Sequence, residues 1–108
     1  MVKIKKGEKP SMITEKKAKA ICELVFDKQR RINANNKIIR EKSYQYISEG
    51  INAEDRNSIL NSEIVAIFDT VTALEPNAEI ITVWNKETND ELGVCINGKI
   101  YYMEGVTA

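Results

Sequence analysis

The chain contains no histidine and is poor in cysteine, proline and glycine, with two, two and five among 108 residues. Without histidine it has no Ser–His or Cys–His nucleophile pair, no histidine metal ligand and no imidazole proton shuttle. Cys22 and Cys95 are too few for a disulfide framework, which favours a reducing environment. The glycine spacing matches neither a P-loop nor a dinucleotide-binding loop. We therefore expect a non-enzymatic protein without a metal or cofactor.

Long apolar runs are also missing. No run approaches the ~20 residues that cross a bilayer, and the amino-terminal residues lack the apolar region of a signal peptide. The composition is 43% hydrophobic and 30% charged, which is typical of one globular domain. These features predict a cytoplasmic protein that does not contact a membrane.

The net charge of the chain is zero, but acidic residues are scarce in its first part and basic residues are scarce in the remainder. Residues 1–42 hold thirteen of the sixteen Lys and Arg but only five of the sixteen Asp and Glu, a net charge of +8, and the remainder carries −8. The basic portion could bind nucleic acid or another anion, or the two portions could attract each other within one chain or between copies. The sequence pI of 6.3 favours attraction, because nucleic-acid-binding domains are usually basic overall.

Two long helices are predicted after residues 1–12, which form either a basic tail or a short edge strand. Thr14 is a good N-cap for a helix over residues 14–48, although the asparagine-rich stretch 33–36 could break it. The apolar residues with helical spacing are Ala18, Ile21, Leu24, Val25, Ile32, Ile39 and Tyr46. Gly50 is a candidate C-cap, and Asn52 a candidate N-cap for a helix over residues 53–74, before Pro76.

Three strands are predicted at residues 79–86, 91–96 and 99–104, which are rich in Ile, Val, Thr and aromatic residues. Asn97-Gly98 between apolar runs is typical of a type I′ hairpin turn. The short connection between the helices favours an antiparallel pair. Residues 13–108 are therefore expected to form one α+β domain, a long antiparallel helix hairpin packed on a three-stranded antiparallel β-meander.

The predicted register exposes an apolar sheet face. The Asn97-Gly98 turn pairs Cys95 with Ile100, and a similar two-residue turn at Asn89-Asp90 pairs Trp84 with Cys95. One face then carries Ile80, Trp84, Ile100 and Tyr102, where a sheet covered on one side would normally be polar. Contiguous apolar surface of this kind marks an interface, so we expect a homo-oligomer. Alternatively, the long helix also covers this side, or the first turn is longer and the register differs.

Two sets of side chains are candidates for binding. Trp84 and Tyr102 could stack on a nucleobase or be buried by a partner, and packing is the alternative. Arg30, Arg31 and Arg40, near Lys37, could hold a small anionic ligand, and a solvated helix face is the alternative.

The remaining reactive groups have structural interpretations. Glu54-Asp55 and Asp90-Glu91 are expected in a first helical turn and a hairpin loop, without the burial that shifts a pKa. Cys22 and Cys95 are expected to pack as small apolar side chains.

The expected function is therefore binding. Ile, Lys and Asn, with fifteen, twelve and ten copies, are all encoded by A/T-rich codons, which indicates a low-GC bacterium or its phage. We predict a small non-enzymatic homo-oligomer, an accessory, regulatory or inhibitory factor of a phage or mobile element. Its partners would be itself and either another protein or a small anionic ligand. The alternative is a nucleic-acid or nucleotide-binding protein that uses the basic amino-terminal portion.

Overall fold

A computed structural model describes the backbone of residues 13–42 and 47–106, and the side chains of residues 13–41 and 52–106. The predictions for residues 1–12 and for Tyr46 lie outside these segments. The elements in chain order are α1 (Glu15–Lys42), α2 (Ile47–Leu74), β1 (Ile80–Trp84), β2 (Glu91–Ile96) and β3 (Lys99–Tyr102). The strands form one antiparallel sheet in the order β1-β2-β3, on which the helices pack, so the predicted α+β fold is confirmed.

Helix α1 begins at the predicted cap. The Lys17 amide donates to Thr14 Oγ1 at 3.1 Å, and the Ala18 amide donates to the Thr14 carbonyl at 2.8 Å. The helix then continues without interruption through residues 33–36 to Lys42. The asparagines do not break it, because their side chains bond to other elements instead of competing for their own backbone.

Helix α2 begins at Ile47, earlier than predicted, and includes Gly50 and Asn52. The expected caps at these two residues are therefore wrong. A glycine inside a helix costs only about 1 kcal/mol relative to alanine, which the packing of a 28-residue helix offsets. The predicted end is confirmed, since the helix stops at Leu74, before Pro76.

The core lies between the helix pair and one face of the sheet. Its strand residues include Val94, which is fully buried, and Ile96. Each large apolar side chain buried in this way stabilises the fold by roughly 1.5–3 kcal/mol. The remaining buried members of the core are Ala18, Cys22, Val25, Phe26, Ile32, Leu60, Ile64, Ile80 and Met103.

The second hairpin has the predicted register. Cys95 lies opposite Ile100, and Ile96 lies opposite Lys99. Asn97 and Gly98 have φ angles of 53° and 85°, the left-handed values that a type I′ turn requires at both positions.

The first hairpin has a different register from the predicted one. Ile81 lies opposite Cys95, and Trp84 lies opposite Glu91, where the pairing is irregular. The connection spans residues 85–90, and the Asn85 amide donates to the Asp90 carbonyl at 2.8 Å. Asn85 Oδ1 also accepts from the amides of Glu87 and Thr88, so one asparagine organises a longer loop. The observed pairing is shifted from the predicted one by an odd number of positions, because Ile81 and not Trp84 lies opposite Cys95. Since successive side chains point to opposite faces of a strand, an odd shift exchanges the two faces of β1.

Candidate interaction surface

The side of the sheet turned away from the helices is the candidate interaction surface, and we call it the outer face. Its members follow from the register, in which Ile81, Cys95 and Ile100 form one cross-strand row and Val83, Gly93 and Tyr102 form the next. None of these six residues is charged. The sheet therefore has apolar side chains on both faces, as predicted, although two of the outer residues differ from those expected.

The outer face is not flat, because large side chains lie on its edge strands and small residues on its central strand. Ile81 on β1 is 63% exposed, and Ile100 and Tyr102 on β3 are 45% and 46% exposed. The central strand contributes only the small residues Gly93 and Cys95 between them. The edge strands therefore form two apolar ridges with a shallow channel along β2 between them.

Gly93 is required by close backbone approach in this channel. A Cβ atom there would overlap the Tyr101 carbonyl oxygen and lie 2.9 Å from Tyr102 Cα. Any side chain at this position must push β3 away from β2. The smallest residue is therefore needed for the strand pairing that builds the outer face.

Trp84 does not share this face with Tyr102. By alternation along β1 it lies on the same side as Ile80, which is buried in the core against the helices. Its pairing partner Glu91 also reaches the helix side, where Gln29 Nε2 donates to its carboxylate at 3.0 Å. The indole is at the end of an edge strand and remains 47% exposed. The predicted grouping of Trp84 and Tyr102 on one face is therefore wrong, because the register is different.

The structure does not bring the three candidate arginines together. The guanidinium carbon of Arg30 lies 5.9 Å from the centre of the Phe26 ring, and Arg31 pairs with Asp27 at 3.3 Å. Arg40 donates to the Asp90 carboxylate at 3.2 Å and to the Thr88 carbonyl. Their positions in the helix place the three side chains on different sides of α1. Arg40 fastens the first hairpin loop to α1.

Asn33 makes the most specific contact between α1 and the sheet. Its Nδ2 donates to the Glu91 carbonyl at 2.9 Å, and its Oδ1 accepts from the Glu91 amide at 2.6 Å. One side chain thus satisfies both backbone groups at the start of β2. Its neighbours along α1, Gln29, Asn36 and Arg40, bond to the same part of the chain. The spacing of these four polar residues, at offsets of four, three and four, is the sequence signal that we missed.

A second amide network joins the two helices. Asn35 Nδ2 donates to Asn57 Oδ1 at 2.9 Å, and Asn57 Nδ2 donates to Asn36 Oδ1 at 3.0 Å. Asn36 in turn donates to the Asn89 carbonyl and to Asp90. The asparagines that were expected to weaken α1 therefore connect α1, α2 and the first hairpin loop.

Glu91 carries a half-buried carboxylate whose pKa is raised. Burial raises the pKa of its carboxyl above the usual 4.5, the nearby Asp90 charge adds to the increase, and the bond from Gln29 opposes it. Gln29 is fully buried, and its Oε1 has no hydrogen-bond partner among the residues that the structure describes. The expectation that the Asp90-Glu91 pair has no buried, shifted carboxyl is therefore wrong for Glu91.

Glu91→Gln should stabilise the protein at neutral pH by up to about 1 kcal/mol, because it removes a half-buried charge that solvent only partly screens and keeps the acceptor for Gln29. Since the pKa of Glu91 is raised in the folded state, protonation favours folding as pH falls through that pKa. The advantage of the variant should therefore shrink from neutral pH towards 4.5. Urea unfolding of both proteins across this range checks it, and a constant difference would contradict it.

The two thiols differ in environment. Burial, with smaller contributions from the charges of Glu23 and Glu15, raises the pKa of Cys22 to about 11. Cys95 is half-buried on the outer face. Cys22 packs in the core as predicted, which makes it a slowly reacting thiol.

Other classes of site receive no support from the described segments. Residues 13–41 and 52–106 contain no group of three potential metal-binding side chains. Neither α1 nor α2, over the positions described, combines the length and apolarity of a membrane span. Comparisons with protein-family models, curated proteins and solved structures find no match to this chain.

Proposed function

We propose that this protein is a non-enzymatic binding protein that works as a homodimer, joined by the packing of two outer faces. The observation that carries the proposal is an exposed sheet face without a charged residue, opposite the face on which both helices pack. Solvent-facing sheet surfaces are normally polar, and apolar ones usually belong to interfaces.

The relief of the outer face favours a second copy as the occupant. A two-fold axis brings the same surface of each protomer together, so ridges must fit channels of the same molecule. The ridges formed by Ile81 and Tyr102 flank a channel floored by Gly93 and Cys95, and one ridge of each copy can enter the channel of the other. Because the six outer-face residues are uncharged, the centre of the contact brings no like charges together.

The area of the outer face limits how much apolar surface a dimer can bury. Two such faces bury roughly 700 Å² of apolar surface, which at about 25 cal/mol per Å² yields on the order of 15–20 kcal/mol before the costs of association. Stable interfaces bury about 1,200–2,000 Å² in total. The outer face alone is smaller, so we expect micromolar dimerisation.

The charge distribution supports this proposal over nucleic-acid binding. Two bases of the amino-terminal portion pair with acids of the carboxy-terminal portion, in Lys28–Glu63 at 3.0 Å and Arg40–Asp90 at 3.2 Å. Within α1, Asp27 also pairs with Arg31. Attraction within the chain therefore accounts for part of the charge imbalance. A cytoplasmic location and a role as accessory or inhibitory factor of a phage or mobile element stay predictions.

A matched pair of charge substitutions tests the dimer. Ile81→Glu introduces a carboxylate on the outer face, at a side chain that is 63% exposed. Leu24→Glu introduces the same group on α1 away from the sheet, at a side chain that is 61% exposed. Both positions are exposed, so both variants should fold. Burying an unpaired charge in an apolar interface should weaken dimerisation at least tenfold for Ile81→Glu only.

Light scattering coupled to size-exclusion chromatography, over micromolar to hundred-micromolar protein, measures the effect. The proposal predicts that the wild type and Leu24→Glu change from monomer to dimer across this range, and that the average mass of Ile81→Glu stays closer to the monomer's 12.3 kDa at every concentration. A wild type that stays monomeric throughout contradicts it. Equal weakening in both variants would place the interface elsewhere.

A further inference from the structure

A groove between the helices lies on the side of α1 turned away from the sheet. Gln29 and Asn33 face the sheet, and Arg31 and Ala34 point to other sides of the helix. The groove has a volume of about 400 Å³, within the range of small-molecule sites. Its lining residues are Arg31, Ala34, Asn35, Arg56, Ile59, Leu60 and Glu63.

The groove has an unbalanced positive charge. Glu63 is neutralised by Lys28 at 3.0 Å, and Arg31 pairs with Asp27 at 3.3 Å. Arg56, in contrast, has no ion pair with any residue of the described segments. Its only bond there runs from Nε to Asn35 Oδ1 at 3.4 Å, which leaves its terminal nitrogens free for an anion.

Asn35 offers Arg56 a fixed hydrogen-bond acceptor. This asparagine is only 7% exposed, and its Nδ2 is engaged by Asn57 Oδ1 at 2.9 Å, so its Oδ1 is directed to Arg56. A guanidinium held in this way loses less side-chain freedom when it binds a carboxylate or phosphate oxygen. The polar end of the groove is therefore partly organised before a ligand arrives.

The rest of the groove is apolar. Ala34 and Ile59 are exposed to solvent, and the exposed fraction of Ile59 is 59%. Leu60 lies beneath them as a member of the core. An apolar ligand body would cover these side chains while its anionic group meets Arg56.

We propose that this groove binds a small amphipathic anion, with its carboxylate or phosphate group on Arg56 and its apolar body against Ala34, Ile59 and Leu60. The site is distinct from the outer face, so ligand binding and dimerisation do not compete for the same surface. The proposal also differs from a nucleic-acid site, because the contact is one anionic group with an apolar extension.

Isothermal titration calorimetry with octanoate and octyl phosphate tests the proposal on the full chain. Acetate lacks the apolar body, and octyltrimethylammonium carries the opposite charge on the same body. We expect binding of either or both eight-carbon anions and at least tenfold weaker binding of acetate and the cation. Preference between the two anions identifies the headgroup chemistry.

Variants locate the binding site. Arg56→Gln should weaken octanoate or octyl phosphate binding about tenfold, whereas Lys37→Gln, which removes an exposed charge elsewhere on the helices, should not. Ala34→Phe fills the groove at an exposed position and should abolish binding without unfolding the chain. Ile81→Glu, on the outer face, should leave binding unchanged.

Three results would overturn the proposal. One is the absence of binding by both eight-carbon anions. Another is equal affinity of Arg56→Gln and Lys37→Gln, with Ala34→Phe unaffected. The third is loss of binding in Ile81→Glu alone, which would place the probe on the outer face. Circular dichroism of each variant verifies that its helices are intact.

Discussion

Gly93→Ala is expected to lower the free energy of unfolding by about 3 kcal/mol, a large effect for the addition of one methyl group. The added Cβ would overlap the Tyr101 carbonyl oxygen, and it would lie 2.9 Å from Tyr102 Cα. These are backbone atoms of β3, so no side-chain rotation relieves the contact. The strands must separate locally, which weakens the pairing of Gly93 with Tyr102.

Urea unfolding at protein concentrations below those at which the dimer forms measures this effect without interference from association. Cys95→Ala is the matched control, because it also places a methyl side chain on the outer face of β2 without crowding the backbone. It should cost less than about 1 kcal/mol. A Gly93→Ala variant as stable as Cys95→Ala would contradict the close approach of β2 and β3.

Asn33→Ala is expected to cost about 2 kcal/mol, although alanine is the better helix former. The substitution removes both bonds to Glu91, at 2.9 and 2.6 Å, and leaves a partly buried amide and carbonyl without their partner. Lys37→Ala, at an exposed position on the same helix, should be neutral or slightly stabilising. Denaturant unfolding of both variants provides the comparison.

Hydrogen exchange adds a local readout for the same substitution. The Glu91 amide donates to Asn33 Oδ1, so its exchange should accelerate in Asn33→Ala more than exchange in the second hairpin. If both the stability and the exchange rate at Glu91 match those of Lys37→Ala, Asn33 does not connect α1 to the sheet as described.

Local signals predicted the elements whose ends depend on one or two residues. Thr14 caps α1 with its own hydroxyl, Pro76 follows the end of α2, and Asn97-Gly98 forms the turn that its backbone preferences require. Each of these depends on contacts within a few residues. They are therefore readable without knowledge of the tertiary structure.

The first hairpin was not predictable because β1 is apolar on both sides. Ile80, Ile81 and Val83 offer no alternation of apolar and polar residues, so several registers bury a similar amount of surface. The choice is made by Asn85, whose side chain bonds within the 85–90 loop. Asn89-Asp90 resembled a two-residue turn, but it lies inside this loop.

The candidate sites were predicted only in part. Tyr102 belongs to the outer face as expected, because the turn at Asn97-Gly98 determined its register. The role of Asn33 could not be predicted from helix propensity, because its side chain bonds to a residue that is distant in sequence. Arg56 was missed because it lies in the acidic portion and comes to line the same groove as Arg31 only after the helices pair.

The proposed dimer makes Cys95 a reporter of its own interface. This thiol is half-buried on the outer face, and the second copy would cover it. Cys22 serves as an internal reference, because it is buried in the core and its pKa is raised to about 11. A neutral thiol reagent followed by mass spectrometry therefore distinguishes the two sites in one sample.

The most direct test is the labelling rate of Cys95 as a function of protein concentration. Packing of two outer faces predicts that this rate falls progressively from micromolar to hundred-micromolar protein while the slow labelling of Cys22 stays constant. A Cys95 rate that does not change with concentration would contradict association through the outer face.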